Sequence, residues 1–156
     1  MGLEYKLFVD LDGVLANFDE KVKEITGKYP NELKLKDMWR QISPPRYEDF
    51  YYKLDFMPDA HQLWNYVKKY EPTILTGLPL GNWAKGQKVR WVGEHLGWQT
   101  KVITCMASDK YKESGEGHIL IDDRIKAEKP WVNAGGIFIH HTSASNSIIE
   151  LKKLGL

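Results

Sequence analysis

The chain has 156 residues, 42% of them hydrophobic, and carries 22 Lys+Arg against 21 Asp+Glu. This is enough for one sizeable core with room for a small insertion, and too little for two independent cores; the balanced charge gives no global basic field for holding nucleic acid or an anionic membrane. One cysteine, Cys105, excludes an internal disulfide, Met1-Gly-Leu-Glu-Tyr-Lys6 lacks the apolar stretch of a secretory signal, and runs such as Ile119–Ile121 fall far short of the roughly 20 residues of a membrane span, so a soluble cytoplasmic protein is expected.

Tyr5-Lys-Leu-Phe-Val-Asp10 is a β-prone apolar run that meets the turn signal Asp12-Gly13, which predicts a buried strand with two aspartates at its carboxyl end. Residues from about 17 to 57 break the rhythm with Pro30, Pro44, Pro45 and the aromatic tract Tyr47–Tyr52, and read as an insertion after this first strand. A helix follows Pro58, with Asp59 as N-cap, Gln62 completing a capping box, and Leu63, Tyr66, Val67 and Tyr70 on one face. Further strands are predicted at 72–76, 101–104, 118–122 and 136–140, and further helices at 88–96, closed by Gly97, and at 145–154. Strands alternating with helices imply βα crossovers, hence an α/β, Rossmann-like parallel sheet within a single domain, carrying a small helical cap over about 17–57.

Ligands of open parallel sheets bind beyond the carboxyl ends of the strands. The polar residues that punctuate those ends are Asp10, Asp12, Thr76, Asp122 and Asp123, with Lys110 in the loop before the fourth strand. Any one of these aspartates alone reads equally well as a turn former or helix cap. Together, four carboxylates would repel and raise one another's pKa unless cations neutralised them. Lys110 supplies one charge, and a hard, oxygen-liganded ion such as Mg2+ is the natural remainder. That combination suits phosphoryl transfer, in which catalysis is mainly positioning and charge neutralisation.

Asp10-Leu-Asp12-Gly13 with apolar residues on both sides, Ile74-Leu-Thr76-Gly77, Asp109-Lys110 and Ile121-Asp122-Asp123-Arg124 occur in the order of the four motifs of haloacid-dehalogenase-like hydrolases, which the chain resembles from Tyr5 to Arg124. More narrowly, Gly86–Gly97 and Leu120–Arg124 are similar to segments of the 5'(3')-deoxyribonucleotidases. Thr76-Gly-Leu-Pro79 and Ser108-Asp-Lys-Tyr111 depart from the Thr-Ser-Pro-Leu and Arg-Asp-Lys-Thr of that family, and the insertion is shorter.

The resemblance implies a magnesium-dependent phosphatase in which Asp10 becomes phosphorylated and Asp12 serves as general acid and then general base. It implies that Thr76, with backbone N–H groups near Leu11 and Gly77, holds the phosphoryl oxygens, and that Lys110 stabilises Asp10 and the transferring charge. Mg2+ would be held by Asp10, the carbonyl of Asp12, and Asp123, with Asp122 in support. The implied substrate is a deoxyribonucleoside monophosphate, with Phe18 lining its pocket and Thr76, Gly77 and Lys110 at its phosphate. A phosphorylated nucleic-acid end is the rival substrate, although near-neutral charge weighs against stable polynucleotide binding. A receiver-type phosphoacceptor domain shares these residue types, but its acidic pair comes first along the chain, whereas Asp122-Asp123 comes last here.

Other tempting residues take plainer readings. Trp64, Trp91 and Trp98 are expected to be buried or packed on helices, whereas Trp39, Tyr47, Phe50 and Tyr51 are divided between a nucleoside pocket and the core of the insertion. His140 and His141 point to opposite sides of a strand and are expected to be solvated at its end. Cys105 reads as a buried structural thiol, and Lys85, Lys88 and Arg90 as a solvated helix face. Gly81–Gly86 has P-loop glycine spacing, but Gln87-Lys88-Val89 stands where Lys-Ser or Lys-Thr is required.

Overall fold

The computed structural model describes residues 4–156. Five strands, β1 (Lys6–Val9), β2 (Thr73–Gly77), β3 (Val102–Cys105), β4 (His118–Asp122) and β5 (Ile137–His140), form one parallel sheet in the order β3-β2-β1-β4-β5. The chain winds outward from β1 to β3 and then returns to the other side of β1, so the sheet reverses its winding between β1 and β4. At that switch point the flanking loops diverge and leave a crevice. Val9 pairs with both Ile74 and Ile121, which brings the ends of the three central strands level.

Strand alternation divides the core in two. Leu7, Val9, Ile74, Ile119 and Ile121 face the larger cluster, which also takes side chains from α3 (Ala60–Val67), α4 (Lys85–Leu96) and α6 (Ala144–Lys153). Phe8, Leu75 and Leu120 face a smaller cluster closed by Trp131 of α5 (Glu128–Asn133), whose ring stands edge-on to Phe8 with centroids 5.5 Å apart. Both faces of the sheet are covered, as its near-continuous apolar strands require.

The segment between β1 and α3 holds α1 (Phe18–Thr26) and α2 (Leu35–Ile42), followed by an irregular stretch. Asn17 caps α1 through the N–H of Glu20, and Gly27 ends it at φ 82°, a left-handed conformation that suits glycine. This helical insertion is docked on α4. The Gln87 side-chain oxygen accepts from the N–H groups of Tyr51 (2.9 Å) and Tyr52 (3.4 Å), and the Trp91 indole donates to the carbonyl of Leu54 (2.7 Å).

Two local expectations change. Asp59 does not cap α3, since its Oδ2 accepts instead from the N–H of Ala144 at 2.7 Å, while Gln62 reaches Ser145 at 3.1 Å. The expected capping pair therefore ties α3 to the start of α6, a tertiary use that displaces the local one. Trp91 is buried, and Trp98, although 66% exposed, lies across Gly93 of α4, where a Cβ would come within 2.2 Å of its ring.

Candidate active site

Asp10 extends β1 by donating its N–H to the carbonyl of Ile121 at 2.9 Å, so its side chain leaves the sheet at the switch point, beside the end of β4. The chain then turns tightly: the carbonyl of Leu11 accepts from the N–H groups of Leu15 and Ala16, both at 2.9 Å. Gly13 sits in that turn at φ 81°, and a Cβ there would stand 2.0 Å from the Asp123 carboxylate. Glycine is thus what lets Asp123 approach the loop. Across the crevice, Gly77 packs so closely on Ala107 that a Cβ would meet the Ala107 methyl at 3.0 Å.

Asp10, Asp122 and Asp123 each offer a carboxylate oxygen, and these oxygens lie within 4.8 Å of one another. Lys110 is buried between two of the three, its Nζ 2.8 Å from Asp10 Oδ1 and 2.9 Å from Asp122 Oδ2. Burial works to raise the pKa of Asp10, but the charge and hydrogen bond of Lys110, with Asp122 and Lys88 behind them, together outweigh it and the net shift is downward, which leaves an ionised carboxylate. Burial opposes the charge on Lys110 too, yet Asp10 and Asp122 together push its pKa up. Lys110 also works to lower the pKa of Asp122 but does not prevail there. Burial and then the charge of Asp10 push Asp122 up to about 6. Asp123 keeps solvent contact, yet the surrounding protein and then Asp10 and Asp122 push it up to about 8. One lysine does not neutralise three carboxylates. The oxygen-only donor set and its excess negative charge fit a hard divalent cation such as Mg2+.

Asp12 stands beside this cluster, one quarter exposed, with Oδ2 2.8 Å from Lys88 Nζ and with Oδ1 buried and without a hydrogen-bond partner. Burial raises its pKa in spite of Lys88. All four aspartates open on a cavity of about 450 Å3, which Gly77, Lys110 and Arg124 also line. Thr76 is fully buried below its floor, with its hydroxyl accepting from Lys88 Nζ at 2.9 Å.

The opposite wall is aromatic. Phe18, Trp39 and Tyr51 of the insertion line the cavity, and Phe50 is buried behind them, edge-on to Phe18 at 5.3 Å. Tyr47 packs against Phe50 and is not among the lining residues.

Three sequence expectations are corrected here. Lys88 is not on a solvated face: it is fully buried, and donates to Asp12, Thr76 and the carbonyl of Gly77 (2.6 Å), whereas Lys85 and Arg90 are exposed. The signal was its place in α4, since Ala84, Lys88, Trp91, Val92 and Leu96 repeat at helical spacing on one buried side. His141 is not solvated either; it is buried against Ser147 Oγ at 2.7 Å, and only His140 is exposed. Cys105 is half-buried at the end of β3 rather than fully enclosed. Asp19, which the sequence did not single out, also lines the cavity, as does Arg124.

No protein-family model matches the chain, and no curated protein does. Solved structures do. L-2-haloacid dehalogenase from Xanthobacter autotrophicus superposes with a TM-score of 0.53 over 97% of this chain and 83% of that one, at 13% identity. A HAD-superfamily hydrolase from Ehrlichia chaffeensis superposes at 0.52 over 100% of both chains, at 12% identity. A HAD-family enzyme from Bacteroides thetaiotaomicron, solved in complex with magnesium and inorganic phosphate, superposes at 0.51 over 90% of this chain and 95% of that one, at 12% identity. The order of the strands, the covered parallel sheet and these superpositions together give the chain the haloacid-dehalogenase fold.

Proposed function

We propose that this protein is a magnesium-dependent phosphomonoester hydrolase that works through an aspartyl-phosphate and acts on nucleoside monophosphates, deoxyribonucleotides in particular. The observation that carries the reading is the juxtaposition, at one switch point, of an ionised Asp10 paired with Lys110, the Asp122 and Asp123 carboxylates, and a second aspartate, Asp12, within reach of the same cavity. A relative in fold, the Bacteroides enzyme, was solved with magnesium and inorganic phosphate, which agrees with this choice of ion and group.

In this reading Asp10, the carbonyl of Asp12, and Asp123 would hold Mg2+, with Asp122 supporting, and the ion would supply charge neutralisation for the phosphoryl oxygens. An oxygen of Asp10 attacks phosphorus, the bond from phosphorus to the leaving alcohol breaks, and Asp12 delivers a proton to that alcohol oxygen. Water then attacks the phosphorus of the aspartyl-phosphate and gives its proton to Asp12, freeing phosphate and restoring both carboxyl groups. Lys110 holds Asp10 in place and offsets charge as it builds on the transferring group. Backbone N–H groups near Leu11 and Gly77 would hold the phosphoryl oxygens in this scheme. The aromatic wall of Phe18, Trp39 and Tyr51 receives the base.

A cleft of about 230 Å3 adjoins the site, sharing Lys110, Asp122 and Arg124 with it and lined further by Ser108 and Lys126. Its three cations, Lys110, Arg124 and Lys126, favour, as a second reading, a substrate that continues past the reacting phosphate, such as a phosphorylated nucleic-acid end. Phosphate release tested over mononucleotides, sugar phosphates and end-phosphorylated oligonucleotides separates the readings. The expected result is turnover with Mg2+ that is greatest on mononucleotides; undiminished turnover in excess chelator removes the metal from the mechanism.

A further inference from the structure

Lys88 is the one ammonium group at this site that the phosphohydrolase scheme leaves without a task. It rises from the buried face of α4 and is fully enclosed. Its Nζ gives all three of its hydrogen bonds to the ends of the two strands that frame the phosphoryl position: Asp12 Oδ2 at 2.8 Å, Thr76 Oγ1 at 2.9 Å and the carbonyl of Gly77 at 2.6 Å. The Tyr51 ring of the insertion lies over the ammonium, 4.4 Å from the centroid. Lys88 is not among the residues that line the cavity, so it meets no substrate directly. Enclosing an ammonium group is costly unless it is fully paired, and here every donor has an acceptor. The alternative role, a purely structural tie, would need no carboxylate that opens on the cavity, yet Asp12 lines it, is one quarter exposed, and has no hydrogen-bond partner for its other oxygen among the described residues. Lys88 is therefore the only hydrogen bond, among the described residues, that fixes the orientation of the Asp12 carboxyl group.

The geometry points to Lys88 as a positioning residue for the general acid, a tether that sets the Asp12 carboxyl against the Thr76-Gly77 loop so that its proton meets the leaving oxygen. This rests on the phosphohydrolase reading above. It has a consequence that a structural tie does not. Proton delivery matters for an alkoxide leaving group, which is strongly basic, and matters little for a nitrophenolate, which leaves unprotonated. The value of kcat/KM reports phosphoenzyme formation, the step in which that proton moves.

The test compares kcat/KM for a nucleoside 5'-monophosphate and for p-nitrophenyl phosphate in the parent protein and in Lys88→Met, with Mg2+ present. The loss on the nucleotide should exceed the loss on the aryl ester by about 10- to 100-fold, part of the roughly 10²–10⁴-fold that general acid catalysis supplies. In an Asp12→Asn background, Lys88→Met should cost little more, because the two residues act as one unit. Equal losses on both esters, or losses that multiply independently of Asp12→Asn, overturn the proposal and make Lys88 either a structural tie or a phosphate contact. Should Lys88→Met melt below the assay temperature, Lys88→Gln is used instead: its shorter, uncharged amide should give a difference between the esters that is smaller than that of Asp12→Asn but still favours the aryl ester, and equal losses again overturn the proposal. A parent protein that hydrolyses neither ester refutes the phosphohydrolase reading instead, an outcome distinct from a failure of the tether.

Discussion

Asp10 and Asp12 stand two residues apart, yet the fold gives them opposite surroundings. Lys110 holds Asp10 ionised, while burial raises the pKa of Asp12 in spite of Lys88. A depressed carboxyl suits a nucleophile and a raised one suits a proton carrier. Asp10→Asn should accordingly abolish turnover, and Asp12→Asn should lower it by roughly 10²–10⁴-fold, with the melting temperature of both checked to exclude unfolding. Near-normal kcat in Asp10→Asn would remove the covalent mechanism. Phe18 raises a separate question, because it both lines the cavity and packs edge-on against buried Phe50. If it receives a base, Phe18→Ala should lower kcat/KM for a nucleotide by about 5- to 150-fold more than for a minimal aryl phosphate, the equivalent of roughly 1–3 kcal/mol of stacking. Equal losses would return Phe18 to the core of the insertion.

Among the elements, α3 and α6 show how a local signal can be correct in its chemistry and wrong in its target. Asp59 and Gln62 have the spacing of a capping box, but both side chains reach the first turn of α6. Asp59→Ala should cost about 1–2 kcal/mol of stability in urea unfolding, through an unpaired N–H at that helix start, with little change in kcat. The strands were legible because each is an apolar run ended by a polar residue, and the motif aspartates were legible because they are those ends. Sheet order and the docking of the insertion on α4 were not, since they depend on contacts such as Gln87 with Tyr51, whose partners lie 36 residues apart. Lys88 was misread for a related reason: a lysine within a helix is usually solvated, and only the burial of Trp91 and Val92 on the same side marks the exception.

At the scale of the whole molecule, the site and the fold respond to pH in opposite senses. His141 is enclosed beside β5 and its burial lowers its pKa below the ordinary 6.5. Because the folded state resists protonating this ring, the unfolded chain takes up the proton first, and stability falls as pH drops through 6.5 and below. The raised carboxyls of Asp122 and Asp123 act the other way: their folded forms hold protons more tightly, so without a cation they destabilise the fold as pH rises through about 6 and 8. The parent protein should therefore lose more melting temperature than His141→Gln between pH 7.5 and 5.5, in scans at fixed Mg2+; identical losses would mean that His141 does not titrate differently in the two states. The insertion has a consequence of another kind. Its two ends lie side by side, with the Asn17 N–H on the Asp55 carbonyl and the Met57 N–H on the Leu15 carbonyl, both at 2.8 Å, so the chain enters and leaves the insertion at one point. A segment of another length could replace it between those same anchor points, provided that it also meets the face of α4 that Tyr51 and Leu54 contact. Selectivity can in this way diverge by exchange of one continuous stretch of chain, with the reaction chemistry inherited intact.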